Sequence, residues 1–134
     1  IGGAAFSNAM VALVHAIAHP LSAHCHIGHG VANASVLPYV VEFNAPSCLA
    51  RTKEIGIAMG LPVKDMSEAD AAKAVVDALK ALNKEVGIPT LEGAGVPKDV
   101  LSAIADDTLK EAPFMFNPRE ATKEQVMEIL AKAF

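Results

Sequence analysis

The residues most able to do chemistry are five histidines within fifteen consecutive positions of this 134-residue chain: His15, His19, His24, His26 and His29. Imidazole is a common metal ligand and a common acid or base near neutral pH. His15 and His19 are four residues apart, which on an α-helix puts both rings on one face about a turn apart. This spacing suits two-point metal binding.

The spacing alone leaves several functions open. The three residues between His15 and His19 include no Glu, so a zinc-protease helix would lack its general base. His29 follows a Gly-containing turn, where the chain can double back toward the first helix. The histidines could serve a catalytic metal site, a stand-alone helical metal-binding or interaction module that uses all five, or a bundle in which they are hydrogen-bonded core residues.

Charge is absent from the first part of the chain. No Asp, Glu, Lys or Arg precedes Glu42, although the chain has 11 basic and 15 acidic residues. We therefore predict that the first 41 residues are buried. Burying a divalent ion on neutral imidazoles alone is costly, and non-haem iron sites pair histidines with a carboxylate. The missing acid is expected from farther along, from another chain or from a part of the protein outside this sequence, which opens on IGGAAFSNAM without an initiator Met.

Composition excludes several classes of function. The net charge of −4 and the absence of a Lys/Arg cluster argue against nucleic acid and anionic lipid as partners. Asn8, His15 and Pro20 interrupt the apolar start, and no basic residues flank it, which argues against a signal peptide or a membrane span. Cys25 and Cys48 do not suggest a disulfide framework, so we expect a reduced, cytoplasmic protein.

The apolar pattern predicts an all-α fold of about six helices in one domain, residues 1–134. No alternating run indicates a strand. The predicted helices run from Ala5 to about His19, from His29 or Gly30 to Asn44 with a kink at Pro38, from Cys48 to Met59, from about Ser67 to Gly87, from Lys98 to about Lys110, and from Thr122 to Phe134.

Helix ends are marked by specific residues. Pro20 predicts an end or kink at His19, because it lacks the N–H that would bond to the carbonyl four residues earlier. Ser22 to Gly28 is predicted to be a turn. Ser67 and Thr122 are predicted N-caps, the latter in a capping box with Gln125. The second helix has no polar face before Glu42, which predicts a core helix.

These residues resemble the iron-dependent (group III) alcohol dehydrogenases, near the branch of lactaldehyde reductase and 1,3-propanediol dehydrogenase. Two histidines fourteen apart, an AHP step and an HGxAN helix start recur together in that family. The resemblance covers essentially the whole chain. The matching stretches, in order, are AFSNAMVALVHAIAHPLSA, HGVANASVLPYVVEFNA, ALNKEVGIPTLEGAGV and NPREAT.

The resemblance implies that His15 and His29 are two ligands of a catalytic metal, usually Fe²⁺ and sometimes Zn²⁺. It implies that His19 lines the nicotinamide and substrate side of the cleft, as a catalytic and cofactor-binding residue. The implied reaction interconverts a small alcohol or diol and its aldehyde or ketone. The metal polarises the substrate oxygen while NAD or NADP carries the hydride.

The resemblance also implies what this sequence lacks. Full-length members are much longer, with an N-terminal dinucleotide-binding α/β domain and two further metal ligands, an Asp and a His, upstream. The chain is therefore expected to be the C-terminal helical metal-binding domain, incomplete at its N-terminus and inactive alone. Without partner helices its uncharged segment would expose apolar surface, so we expect a homo-oligomer.

The remaining candidates in the cluster are expected to be inert. His24 and His26 fall in a turn that varies in the family pattern, and we expect both to face solvent from a loop. Cys25 is expected to be an incidental thiol, because no basic residue lies nearby to activate it.

Overall fold

The computed structural model describes all 134 residues and contains helices and turns but no strand. The predicted all-α class is confirmed, with seven α-helices where about six were expected. The α-helices are α1 (Gly2–Ala9), α2 (Leu13–Cys25), α3 (His29–Asn44), α4 (Leu49–Ala58), α5 (Glu68–Glu85), α6 (Leu101–Thr108) and α7 (Lys123–Ala133), and 3₁₀ segments cover Ala45–Ser47, Lys98–Val100 and Ala112–Phe116.

Helix α3 occupies the centre of the bundle. It packs against α2 on one side and against α5 and α7 on others, while α6 packs against α2 and α7. Leu13, Ile17 and Leu21 of α2 and Val36 and Val40 of α3 lie in the main core with at most 1% of their surface exposed. The predicted core helix is thus confirmed, and burial on several sides explains its lack of a polar face.

Helix α2 was predicted to end or kink at His19, but it continues through Pro20 to Cys25. The proline leaves the carbonyl of Ala16 without its usual donor, at a cost of about 3 kcal/mol in a helix interior. Pro20 and Leu21 are both buried in the bundle, and burial of apolar surface offsets that cost. The predicted Ser22–Gly28 turn therefore shrinks to residues 26–28.

The predicted burial of the first 41 residues is wrong for α1. No residue of α1 is buried, and Phe6 is 59% exposed. Met10 ends this helix with a positive φ of 64°, so the predicted continuous first helix is two helices bent by 98°. No single helix is long and apolar enough to cross a membrane. Helices α1 and α2 meet these criteria of length and composition only when they are taken together as this bent pair.

The predicted caps are confirmed. Ser67 Oγ accepts a hydrogen bond from the N–H of Asp70 at 3.1 Å. At α7 both bonds of the capping box are present, between Thr122 and Gln125, at 3.3 and 3.0 Å. Gly87, with φ of 76°, follows α5 in the left-handed conformation that commonly ends a helix.

The segment before α7 is tied to the end of α3. The side-chain amides of Asn44 and Asn117 donate to each other's oxygens at 2.9 and 2.8 Å. Arg119 donates to the carbonyl of Phe43 and its guanidinium lies 4.1 Å from the centre of that ring. The preceding 3₁₀ segment, Ala112–Phe116, was not predicted and packs against α2. These contacts hold the segment after α6 against α2 and α3, the two helices that carry the histidines.

Candidate functional site

The site begins with two histidines one turn apart on α2. The ring centres of His15 and His19 are 6.1 Å apart, with their planes at 82°. Both side chains are partly exposed, whereas Ala16, Ile17 and Ala18 between them are fully buried. The buried residues anchor one face of α2 in the core, so the helix presents both imidazoles at the edge of the bundle.

His29 completes a cluster of three imidazoles. It is the first residue of α3, and the three-residue connection from α2 turns the chain back on itself. Its ring centre lies 5.3 Å from that of His15 and 5.6 Å from that of His19. The sequence-based expectation that His29 faces the first histidine-bearing helix is therefore confirmed by the geometry.

Asn33, one turn along α3, contacts His29 twice. Its Nδ2 donates to the carbonyl oxygen of His29 at 2.8 Å and lies 3.0 Å from the ring Nε2. Its Oδ1 is buried and has no hydrogen-bond partner. A buried polar atom without a partner is uncommon in proteins, and this one lies beside the imidazole cluster.

The surroundings of His15 favour its neutral form. Burial, followed by the proximity of His29 and then of His19, lowers the pKa of His15 from its ordinary value. Only the neutral imidazole has a lone pair with which to bind a metal. This pKa shift therefore keeps His15 in the ligand form over a wider pH range.

Glu111 is a site residue that the sequence analysis missed. It lies just after α6, and its Oε2 accepts a hydrogen bond from His19 Nδ1 at 2.7 Å. The two residues are 92 positions apart, so no local motif links them. The available signal was the pair Asp107 and Glu111, two carboxylates spaced one helical turn apart.

His24 and His26 lie outside the cluster. Both are exposed, as expected, but His24 lies in the last turn of α2 rather than in a loop, because that helix passes through Pro20. Its Nε2 donates to Asp107 Oδ2 at 2.9 Å. His26 ends α2 with φ of 55°. Burial raises the pKa of the Cys25 thiol, which agrees with the expected inert role.

Comparison with known proteins gives the family. The model of the Fe-containing alcohol dehydrogenase family, C-terminal, matches residues 1–134. The chain belongs to this family. Lactaldehyde reductase of Escherichia coli K12 is 42% identical over 135 residues, which is 100% of this chain and 35% of the relative. Alcohol dehydrogenase 4 of Saccharomyces cerevisiae is 36% identical over 137 residues, again with all of this chain and 34% of the relative.

Solved structures of similar proteins share the fold. An alcohol dehydrogenase from Oenococcus oeni superposes with a TM-score of 0.94 and 35% identity, over 98% of this chain and 35% of that chain. A 1,3-propanediol oxidoreductase gives 0.88 and 32%, over 92% and 32% of the two chains. The chain thus spans about a third of the length of the relatives it matches.

The donor set fits part of an iron site of this family. Nowhere in the chain are three His, Cys, Asp or Glu side chains arranged to hold one ion together. His15 and His29 nevertheless have adjacent rings, 5.3 Å between centres, and neither is paired with a carboxylate. Neutral nitrogen donors of this kind suit Fe²⁺ and Zn²⁺. The chemistry of these two residues therefore fits two ligand positions of such a site.

A small apolar cavity adjoins the cluster. It has a volume of about 450 Å³, and its lining includes His15 and Gly30 from the two histidine-bearing helices together with Asn33. The rest of its wall is mainly aliphatic, including Leu13 and Val40. A volume of a few hundred Å³ with few polar groups is typical of small-molecule sites.

Acid stability is expected to depend on Asp107. The hydrogen bond from Lys110, then that from His24, holds the pKa of the Asp107 carboxyl below its usual value. A lowered carboxyl pKa stabilises the fold above the unfolded-state pKa of about 3.9, and this contribution is lost as the pH falls through the folded-state pKa. We expect the midpoint of urea unfolding to fall less steeply in the Asp107→Asn variant than in the unsubstituted chain as the pH drops below about 4.

The measurement is urea unfolding across that pH range. Asp77→Asn is the matched control, because Asp77 is exposed on α5 and forms no ion pair. An Asp107→Asn variant with the same pH profile as the unsubstituted chain would contradict this role for Asp107.

Proposed function

We propose that this chain supplies the helical, metal-binding part of an NAD(P)-dependent alcohol dehydrogenase. The enzyme would interconvert small alcohols or diols and the corresponding aldehydes or ketones. The observation that carries the proposal is the convergence of His15, His19 and His29, with ring centres 5.3–6.1 Å apart, in a chain of the iron-containing family.

In this proposal His15 and His29 hold the metal, Fe²⁺ or in its place Zn²⁺. The chemistry that such an ion supplies when bound is Lewis-acid polarisation of the alcohol oxygen. The lowered pKa of His15 supports its ligand role, since that imidazole stays neutral. The nicotinamide cofactor, bound by the part of the enzyme outside this chain, would carry the hydride.

His19 is proposed to face the substrate and the nicotinamide. Its ring is 39% exposed and lies next to both proposed ligands. Glu111 occupies its Nδ1, so its Nε2 is the nitrogen available to a substrate hydroxyl. The names of the relatives, lactaldehyde reductase and 1,3-propanediol dehydrogenase, support a small alcohol or diol as substrate, and the aliphatic cavity beside His15 is of suitable size.

Metal titration of the chain and its variants tests the ligand assignment. We expect at most one Zn²⁺ or Fe²⁺ per chain under anaerobic dialysis, with affinity lowered at least about 10-fold by His15→Ala or His29→Ala. His26→Asn is the control, because His26 is exposed and Asn tolerates its left-handed backbone. With Fe²⁺, NAD(H) and 1,2-propanediol the chain alone should show no turnover.

Two outcomes would contradict the proposal. Binding that is unaffected by His15→Ala and His29→Ala but lost on substitution of His24 and His26 would instead support a stand-alone metal-binding module. Turnover by the chain alone would show that no further ligands or cofactor domain are needed.

A further inference from the structure

The contact between His19 and Glu111 determines which ring nitrogen of His19 carries the proton, as well as where the ring lies. A carboxylate can only accept hydrogen bonds, so the 2.7 Å contact requires the proton to be on His19 Nδ1. In a neutral imidazole the other nitrogen, Nε2, then carries a lone pair. The carboxylate therefore selects one of the two tautomers of His19.

Glu111 is itself held in place by its backbone. Its N–H donates to the carbonyl of Thr108 at 3.2 Å, and its carbonyl accepts from the N–H of Phe114 at 3.0 Å. The 3₁₀ segment that follows it packs against α2. This turn presents the carboxylate to His19, and Glu111 has no other side-chain partner and no cation within 4 Å apart from that ring.

A second pair allows the role of Glu111 to be separated from simple helix docking. His24 of α2 and Asp107 of α6 also form a histidine–carboxylate contact, at 2.9 Å, about one turn later in α2 and one turn before Glu111. Asp107 also binds Lys110, and His24 is not part of the imidazole cluster. Both pairs join α2 to the end of α6, but only the Glu111 pair includes a ring of the cluster.

We propose that Glu111 is a positioning residue that holds His19 in the Nδ1-protonated tautomer, so that Nε2 can accept a hydrogen bond from the substrate hydroxyl. The substrate-facing role of His19 rests on the proposed function. The effect of Glu111 on the tautomer is a property of this chain and does not depend on metal, cofactor or substrate.

The test is ¹⁵N NMR of the histidine rings in the metal-free chain at about pH 8.5, above the ordinary titration range of histidine. We expect His19 to carry its proton on Nδ1. Glu111→Ala should abolish this preference, and Glu111→Gln should largely restore it, because the amide oxygen still accepts from Nδ1. Asp107→Ala is the matched control, which should change the ring signals of His24 and leave those of His19 unchanged.

The unsubstituted chain alone can overturn the proposal, if His19 is found protonated on Nε2. So can an unchanged His19 tautomer in a folded Glu111→Ala variant, or an equal loss of the preference in Asp107→Ala, which would indicate a docking effect. Because the sample contains no metal or substrate, failure of the proposed dehydrogenase function would leave these results unaltered. If Glu111→Ala does not fold, comparison of Glu111→Gln with the unsubstituted chain still reports whether a neutral acceptor keeps the proton on Nδ1.

Discussion

Turnover should fall by more than about 100-fold when His29 is changed to Ala in a chimera of this chain with a relative, since loss of an outer-shell partner alone costs about 10–100-fold. The chimera replaces the matching 135 residues of Escherichia coli lactaldehyde reductase, 42% identical to this chain, and leaves the rest of that enzyme unchanged. We expect the unsubstituted chimera to bind metal and to oxidise 1,2-propanediol.

The physical reason is the geometry of the cluster. His29 approaches the ring of His15 because the chain reverses within residues 26–28, which brings the two ring centres to 5.3 Å. Turnover and metal content should be measured together, with His26→Asn as the control. Equal metal content and turnover in the His29→Ala and unsubstituted chimeras would refute the ligand assignment. The metal titration of the isolated chain provides the same comparison if the chimera does not fold.

Ile17→Ala should destabilise the chain by about 2–5 kcal/mol, the usual range when a buried isoleucine is truncated. Ile17 is fully buried in the main core and lies midway between His15 and His19. Truncation loses apolar burial and leaves a cavity under α2, where Leu13 and Leu21 pack in the same core.

Urea unfolding gives the change in the free energy of unfolding. Ile55→Ala is the matched control, because Ile55 is 51% exposed on α4 and its truncation should change stability by no more than about 0.5 kcal/mol. Equal effects of the two substitutions would show that α2 is not anchored as described.

The fold class and most helices were predictable because the signals are local. Ser67 and Thr122 are helix caps whose partners lie three residues away, and apolar periodicity marks the buried faces. The predicted end or kink of the helix at His19 rested on the rule that proline disrupts an isolated helix. In the folded chain Pro20 is buried by neighbours distant in sequence, and the helix continues. Absence of charge predicted burial of α1, but burial also requires an element that packs on it.

The residues of the candidate site also divide into those that local sequence signals predict and one that depends on tertiary packing. Spacing on a helix brought His15 and His19 to one face, and a short turn brought His29 to them, so these residues could be found from the sequence. Glu111 depends on how α6 and the segment after it pack against α2. Its role is a property of tertiary structure, and the sequence marks it only by its spacing of one helical turn from Asp107.

The paired amides of Asn44 and Asn117 bear on how this chain can change length during evolution. They join positions 73 residues apart, and thereby close a loop that contains α4, α5 and α6. The entropy of closing a long loop grows only with the logarithm of its length, so even doubling it costs only about 0.6 kcal/mol. Insertions in the exposed connections within this loop are therefore thermodynamically cheap, and they leave the histidine-bearing turn between α2 and α3 untouched.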